Sequence, residues 1–288
     1  MTHRDLALAF RKLHQSDNGS ILVLPNAWDA MSARIIEEAG AQAIATTSCG
    51  VSWSLGRRDG EGLSREEMIE AVRRIVNAVD LPVTADIESG YGNGSLEDVV
   101  QTVQAVIEAG AVGINLEDSP GRDGQPLLET AQQAQRIAAA RGGADATGIP
   151  LFVNARIDVY LRRAGTPDER LDETVWRART YLAAGADGIF VPGVTDPATI
   201  ERLAHEVKAP LNIMAGPQSP GIVELRQLGV SRVSLGPALT LAAMAHIRRA
   251  TQEVLWEGTY EHLAEGMTFP EADGLFEPPS AVLGVGLP

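Results

Sequence analysis

Asp86 and Glu88 close the run Leu81-Pro82-Val83-Thr84-Ala85-Asp86-Ile87-Glu88, Glu117 and Asp118 close residues 111–118, and Arg156 and Asp158 close residues 151–158. Each run is short, apolar and rich in β-branched residues, which is the pattern of a buried strand. A carboxylate among buried apolar residues costs several kcal/mol unless it is paired or bound to a metal. The spacing of two puts Asp86 and Glu88 on one face of an extended strand. With Glu117 they form an all-oxygen donor set without His or Cys, which suits a hard cation, Mg²⁺ or Mn²⁺, better than zinc. The bland alternative is that one or two of these carboxylates pair with Arg58 or Arg156. Acidic and basic residues gathered on three adjacent strand ends favour the metal centre. Thr47 and Ser48, at another strand end, can offer hydroxyls or backbone N–H groups to a carboxylate, or cap a local turn. Asp59 precedes a glycine in a loop, the usual place of a turn-forming Asp. The histidines are His3, His14, His205, His246 and His262, all in helical patterns or the amino-terminal segment, which disfavours a histidine base or a zinc triad. Cys49 lies beside the strand ends and reads as a small buried hydrophobe.

The elements that must position these residues alternate along the chain. Strand patterns at 21–26, 41–48, 81–88, 111–118, 151–158, 186–192, 211–215 and 230–236 are separated by helical ones at 29–39, 64–79, 96–109, 130–141, 172–184, 197–207, 221–228 and 237–255. Eight strand-helix alternations are what a (β/α)₈ TIM barrel requires, and a barrel's active site lies at the C-terminal strand ends. Gly40, Gly110, Gly185 and Gly229 each close a helix and open a strand, where glycine takes the left-handed conformation without a Cβ penalty. The connections 49–63 and 119–130 are long and follow strand ends, as active-site loops do. We expect one barrel domain over residues 1–257, with a short N-terminal helix, and an extension over 258–288.

Composition narrows the function classes. The 288 residues carry 24 Lys+Arg against 38 Asp+Glu, a formal net charge of −14. This acidic balance, with no basic run, argues against a nucleic acid or an anionic membrane surface as partner. No apolar stretch reaches the roughly 18 residues needed to span a bilayer. One cysteine excludes a disulfide framework within the chain and fits a reducing cytoplasm. Lys12 and Lys208 are the only lysines, so Schiff-base chemistry has almost no candidates.

The stretch Leu24-Pro25-Asn26-Ala27-Trp28-Asp29, residues 48–59 ending Leu-Gly-Arg-Arg-Asp, the segment Asp86-Ile87-Glu88-Ser89-Gly90-Tyr91-Gly92-Asn93, and Leu116-Glu117-Asp118 together resemble the isocitrate lyase and phosphoenolpyruvate mutase superfamily. The resemblance covers roughly residues 20–250. It implies a barrel whose eighth helix is exchanged between subunits of a homodimer or homotetramer. It implies Mg²⁺ held by Asp86, Glu88 and Glu117, with Asp59 as an outer acid that orients metal waters or substrate. Thr47 and Ser48 then grip the substrate carboxylate through backbone N–H groups, and Arg156 contacts the bound oxo acid and its enolate. The shared chemistry makes or breaks a bond at the carbon next to a 2-oxo or 2-hydroxy acid.

Two departures bear on the reaction. The isocitrate and methylisocitrate lyases carry a Lys-Lys/Arg-Cys-Gly-His lid after the fourth strand, whereas here residues 118–127 contain no Cys, His or Lys. Glu88 stands where Asp is commoner. The general acid is unassigned, with Arg122 and Asp123 as candidates. We therefore expect a Mg²⁺-dependent lyase or hydrolase that cleaves a carbon–carbon bond in a small 2-oxo or 2-hydroxy carboxylic acid. The alternatives are a phosphonomutase or phosphonopyruvate hydrolase, and a non-catalytic or weakly catalytic 2-oxo acid binder.

Overall fold

A computed structural model describes residues 1–15, 20–120 and 127–277. The chain opens with α1 (His3–Leu13), followed by β1 (Leu22–Leu24), β2 (Asn26–Ala27), α2 (Ala30–Glu38), β3 (Ile44–Thr46), α3 (Ser48–Ser54), α4 (Arg65–Ala78), β4 (Val83–Asp86), α5 (Leu96–Glu108), β5 (Gly113–Glu117) and α6 (Thr130–Asp145). It continues through β6 (Phe152–Arg156), α7 (Glu169–Ala183), β7 (Gly188–Val191), α8 (Pro197–Glu206), β8 (Leu211–Met214), α9 (Ile222–Gln227), β9 (Arg232–Ser234), α10 (Ala238–Trp256) and α11 (Phe269–Gly274).

All strand pairs are parallel, in the order β1-β9-β8-β7-β6-β5-β4-β3-β2. The two ends of this sheet are consecutive pieces of one strand. Pro25 lacks an N–H and interrupts the ladder, so Leu22 pairs with Arg232 on one side while Asn26 pairs with Ala45 on the other. The sheet thereby closes on itself, and the fold is the expected (β/α)₈ barrel. The four punctuating glycines adopt positive φ, from 89° at Gly229 to 110° at Gly185.

Three local expectations change. The second strand stops at Thr46 and α3 begins at Ser48, so the long connection 49–63 starts as a helix. Helix α6 continues past Arg141 to Asp145, and its Gly143 lies against Val100 of α5, where a Cβ would stand 3.3 Å from the valine side chain. Helix α7 starts at Glu169 rather than Asp172.

Helix α1 closes the N-terminal end of the barrel. Thr2 and Asp5 form a capping box at its start, and Ala7 and Phe10 pack with Leu22, Leu24 and Phe152. His14 follows it, buried, stacked on Phe152 at 3.8 Å and donating from Nδ1 to the Phe10 carbonyl at 2.9 Å. Burial, then the Arg232 charge, pushes the His14 pKa down from 6.5 to about 3. The folded chain thus binds fewer protons than the unfolded chain between those values, and stability is lost as the pH falls through that window. His14→Phe, which cannot take a proton, is expected to flatten that loss by up to about 1.4 kcal/mol per pH unit. Urea unfolding of both proteins across the acid range checks it.

Contacts divide the chain into Met1–Thr240, which holds every strand, and Leu241–Pro288. In the second unit a short 3₁₀ turn (Glu261–Leu263) precedes α11, and the Glu253 carboxylate accepts from the Glu261 and His262 N–H groups at 2.6 and 2.8 Å. No helix among the described residues is long and apolar enough to cross a membrane.

Candidate active site

Asp86, Glu117 and Arg156 are the last residues of β4, β5 and β6, so three neighbouring strands deliver them to the C-terminal rim. Glu117 pairs in register with Arg156, and Asp86 with Asn115. Below this rim the barrel interior is polar. Asn154 donates to Asn115 at 2.9 Å, and the buried Arg232 reaches the same Asn115 oxygen at 3.3 Å.

Asp86 is tied down by its neighbours. Its N–H donates to the Thr46 hydroxyl at 2.8 Å, while its carboxylate accepts from the Ser48 N–H at 3.4 Å and the Glu88 N–H at 3.3 Å. Thr47 is the residue before α3, but its hydroxyl caps nothing and lies 3.1 Å from the Cys49 sulfur. The Ser48 N–H therefore faces the site. Cys49 is buried, and burial raises its thiol pKa to about 11, in keeping with a small hydrophobe.

The strand argument for Glu88 does not hold. Strand β4 ends at Asp86, and Glu88 sits beyond it with φ 49°, in the left-handed region. Its buried carboxylate is held instead by side chains and loop backbone: Oε1 accepts from the Tyr91 hydroxyl at 2.8 Å and Oε2 from the Glu61 N–H at 2.5 Å. Glu61 and Tyr91 also have positive φ. Each such residue costs about 1–3 kcal/mol, and this strain collects at functional loops.

Arg156 bonds two acidic neighbours. It meets Glu117 at 2.7 Å and clamps Asp158 with two bonds of 2.7 and 3.1 Å. The ion-pair alternative from sequence is thus realised for Glu117 through Arg156, while Arg58 is exposed. Behind this pair, the Asp158 N–H donates to Asp118, which also receives the Tyr181 hydroxyl and Arg177 at 3.0 Å each. Burial raises the Asp118 pKa to about 6. Asp118 and Asp158, which the sequence places at strand ends, lie behind the rim with Arg177 and Tyr181 of α7, which it does not single out. Alternation points Asp118 away from Glu117 and puts Asp158 on the face of Arg156, but nothing local pairs Asp118 with α7.

The electrostatics have one sign. Burial pushes the Asp86 carboxyl above its usual range, opposed by Arg156 and reinforced by Asp59. Burial likewise takes Glu88 to about 7 against the Tyr91 hydroxyl, and holds Glu117 well above its ordinary value against Arg156. Burial works against charge on Arg156 too, but Asp158, Glu117 and Asp86 outweigh it and keep the guanidinium protonated. Asp59 is exposed in its loop, yet close enough for its charge to raise Asp86, Glu88 and Cys49. As the side chains stand, the carboxylates are turned onto these protein donors, and among the described residues no three His, Cys, Asp or Glu are gathered to hold a metal ion. In donor chemistry the set fits a hard cation: it is oxygen-only, buried and short of positive charge. The lid candidates Arg122 and Asp123 lie outside the described residues.

A parallel barrel with acidic strand ends and one arginine at its C-terminal rim is the class this geometry defines. Residues 10–255 match the phosphoenolpyruvate phosphomutase family, and the chain belongs to that family, within the lyases and mutases of the isocitrate lyase and phosphoenolpyruvate mutase superfamily. A solved structure from Burkholderia cenocepacia J2315, provisionally named a phosphonomutase, is 44% identical with a TM-score of 0.82, covering 88% of this chain and 99% of its own. An uncharacterized protein of Mycobacterium tuberculosis (strain H37Rv) is 35% identical over 85% of this chain and 90% of its length. The oxaloacetate decarboxylase of Pseudomonas entomophila is 31% identical over 84% of this chain and 82% of its length.

Proposed function

We propose that this enzyme is a Mg²⁺-dependent lyase or hydrolase that cleaves a carbon–carbon bond in a small 2-oxo or 2-hydroxy carboxylic acid through an enolate. The observation that carries the reading is the rim, where three adjacent strands end in Asp86, Glu117 and Arg156, with Glu88 two residues beyond Asp86. Asp86, Glu88 and Glu117 would hold Mg²⁺, or Mn²⁺ in its place. When bound, the dication supplies Lewis-acid stabilisation of negative charge on substrate oxygens.

The chain's own residues do the rest. The Ser48 N–H, next to Thr47, receives the substrate carboxylate. Arg156, fixed in direction by Asp158, presents a permanent positive charge to the oxygen on which the enolate develops. Asp59 orients water or substrate from its loop. The preferred substrate is a 3-carboxylated 2-oxo acid such as oxaloacetate, on which the Pseudomonas relative is named to act. Loss of CO₂ leaves the electron pair as the enolate and needs no acid on the leaving group. That matches a lid sequence without Cys, His or Lys. A phosphonomutase is the second reading, favoured by the name of the Burkholderia relative and opposed by the absence of a lid lysine.

A panel of 2-oxo acids, 2-hydroxy acids and phosphonopyruvate, assayed for product with Mg²⁺ and with chelator, separates these. Metal-dependent release of pyruvate or glyoxylate supports the reading. Turnover of phosphonopyruvate alone supports the second, and tight binding without turnover on any acid leaves a binder.

A homodimer or homotetramer that exchanges its eighth helix fits the apolar surface. The first unit exposes Met31 and Val223, and α10 exposes Leu241, Ile247 and Trp256. Light scattering is expected to give two or four times the 30.6 kDa chain, and Leu241→Glu with Ile247→Glu to lower that mass. We place the enzyme in the cytoplasm on its single unpaired cysteine.

A further inference from the structure

Glu61 lies in Asp59-Gly60-Glu61-Gly62, outside every strand and helix, yet its main chain and side chain are both committed to the loop that carries Glu88. Its N–H donates to Glu88 Oε2 at 2.5 Å. Its own Oε1 accepts from the Ser89 hydroxyl at 2.6 Å and from the Tyr91 N–H at 2.9 Å. The Tyr91 hydroxyl closes the circuit on Glu88 Oε1 at 2.8 Å. Glu61, Glu88 and Tyr91 are therefore bonded each to the other two, and their φ angles of 57°, 49° and 60° all lie in the left-handed region. Among the described residues only Arg163 shares that conformation without being glycine. Three strained residues in one closed circuit mark a conformation that the surroundings over-determine. Arg136 of α6 holds the far side of the loop, through the Gly94 carbonyl at 2.5 Å and the Ser89 carbonyl.

We propose that Glu61 is a positioning residue for the reaction: it ties the Asp59 loop to the Glu88 loop and so fixes the Glu88 carboxylate for divalent-cation binding. The inference rests on the reading of Asp86, Glu88 and Glu117 as the cation's ligands. Glu61 acts through its neighbours. Its carboxylate points at Ser89 and Tyr91, and what the circuit needs from it is an acceptor oxygen rather than a charge. A glutamine keeps that oxygen, whereas alanine removes it. Glycine removes it too, while relieving the backbone.

The test is Mn²⁺ binding to the full-length protein, followed by electron paramagnetic resonance of the free ion, for the wild type and for Glu61→Ala, Glu61→Gly, Glu61→Gln, Tyr91→Phe and Asp86→Asn. Groups that orient metal ligands are worth about 10–100-fold in affinity. Glu61→Ala and Glu61→Gly are expected to weaken Mn²⁺ by about tenfold or more, with Tyr91→Phe also weaker and Glu61→Gln within about twofold of the wild type. Wild-type affinity in a folded Glu61→Ala, or a Glu61→Gln as weak as Glu61→Ala, overturns the proposal. If Glu61→Ala does not fold, unchanged affinity in Tyr91→Phe overturns it instead, because only the hydroxyl on Glu88 has gone. A wild type that binds no Mn²⁺, or an Asp86→Asn that binds as well as the wild type, removes the cation site itself and this inference with it. That outcome differs from one in which Asp86→Asn fails to bind and the Glu61 variants are unaffected.

Discussion

Asp86→Asn is expected to abolish metal-dependent turnover while making the metal-free protein more stable. The side chain keeps its size, and its carbonyl oxygen can keep one of the two long bonds that Asp86 accepts, from the Ser48 N–H at 3.4 Å or the Glu88 N–H at 3.3 Å. What goes is a charge that burial disfavours. A carboxyl whose folded-state pKa lies above its unfolded value costs stability once the pH exceeds the unfolded value, and Asp86 is such a group. Neutralising it therefore stabilises the fold at neutral pH. On the proposed reading the same change removes a ligand charge for the dication, a contribution of several kcal/mol that corresponds to about three decades or more in rate. Steady-state kinetics in excess Mg²⁺ and thermal unfolding in chelator read the two effects. Opposite signs for activity and stability distinguish a site strained for function from an ordinary buried residue.

Arg156→Met is expected to fail on both counts. Arg156 holds Glu117 at 2.7 Å and Asp158 at 2.7 Å, and both carboxylates are buried. Removing the shared partner strands two charges, and breaking a buried pair from one side costs about 3–5 kcal/mol. Glu117, which burial already holds above its ordinary value against Arg156, takes up a proton instead of paying that in full, so its folded-state pKa rises further. Stability relative to the wild type then falls as the pH climbs, and the deficit is expected to be larger near pH 8 than near pH 5. Urea unfolding at both pH values measures it. Turnover is expected to drop by about 10²–10³-fold even where the variant is folded, because a preorganised positive group has left the developing enolate.

The barrel was legible because its signals are local. Alternating apolar runs, a glycine at four of the helix ends, and polar residues at the ends of β4, β5 and β6 fix the architecture and place Asp86, Glu117 and Arg156 on one rim. Glu88 was found for the wrong reason. The period of two needs an extended backbone, and the chain turns left-handed at that residue. Glu61 was invisible, since nothing in Gly60-Glu61-Gly62 shows that a loop glutamate will be bonded to Ser89 and Tyr91 some thirty residues on. The Asp118, Arg177 and Tyr181 layer depends on how α7 lies against β5. Tertiary packing decides such contacts, and period and composition carry no record of it.

The proposed metal-dependent oxo-acid site comprises Asp86, Glu88, Glu117 and Arg156. Calorimetric titration with oxalate, a planar dianion shaped like the enolate of pyruvate, tests it most directly when run in Mg²⁺ and again in chelator. Saturable binding is expected in Mg²⁺, none in chelator, and none with Asp86→Asn in either. Equal oxalate affinity with and without the metal, unchanged by Asp86→Asn, would contradict it.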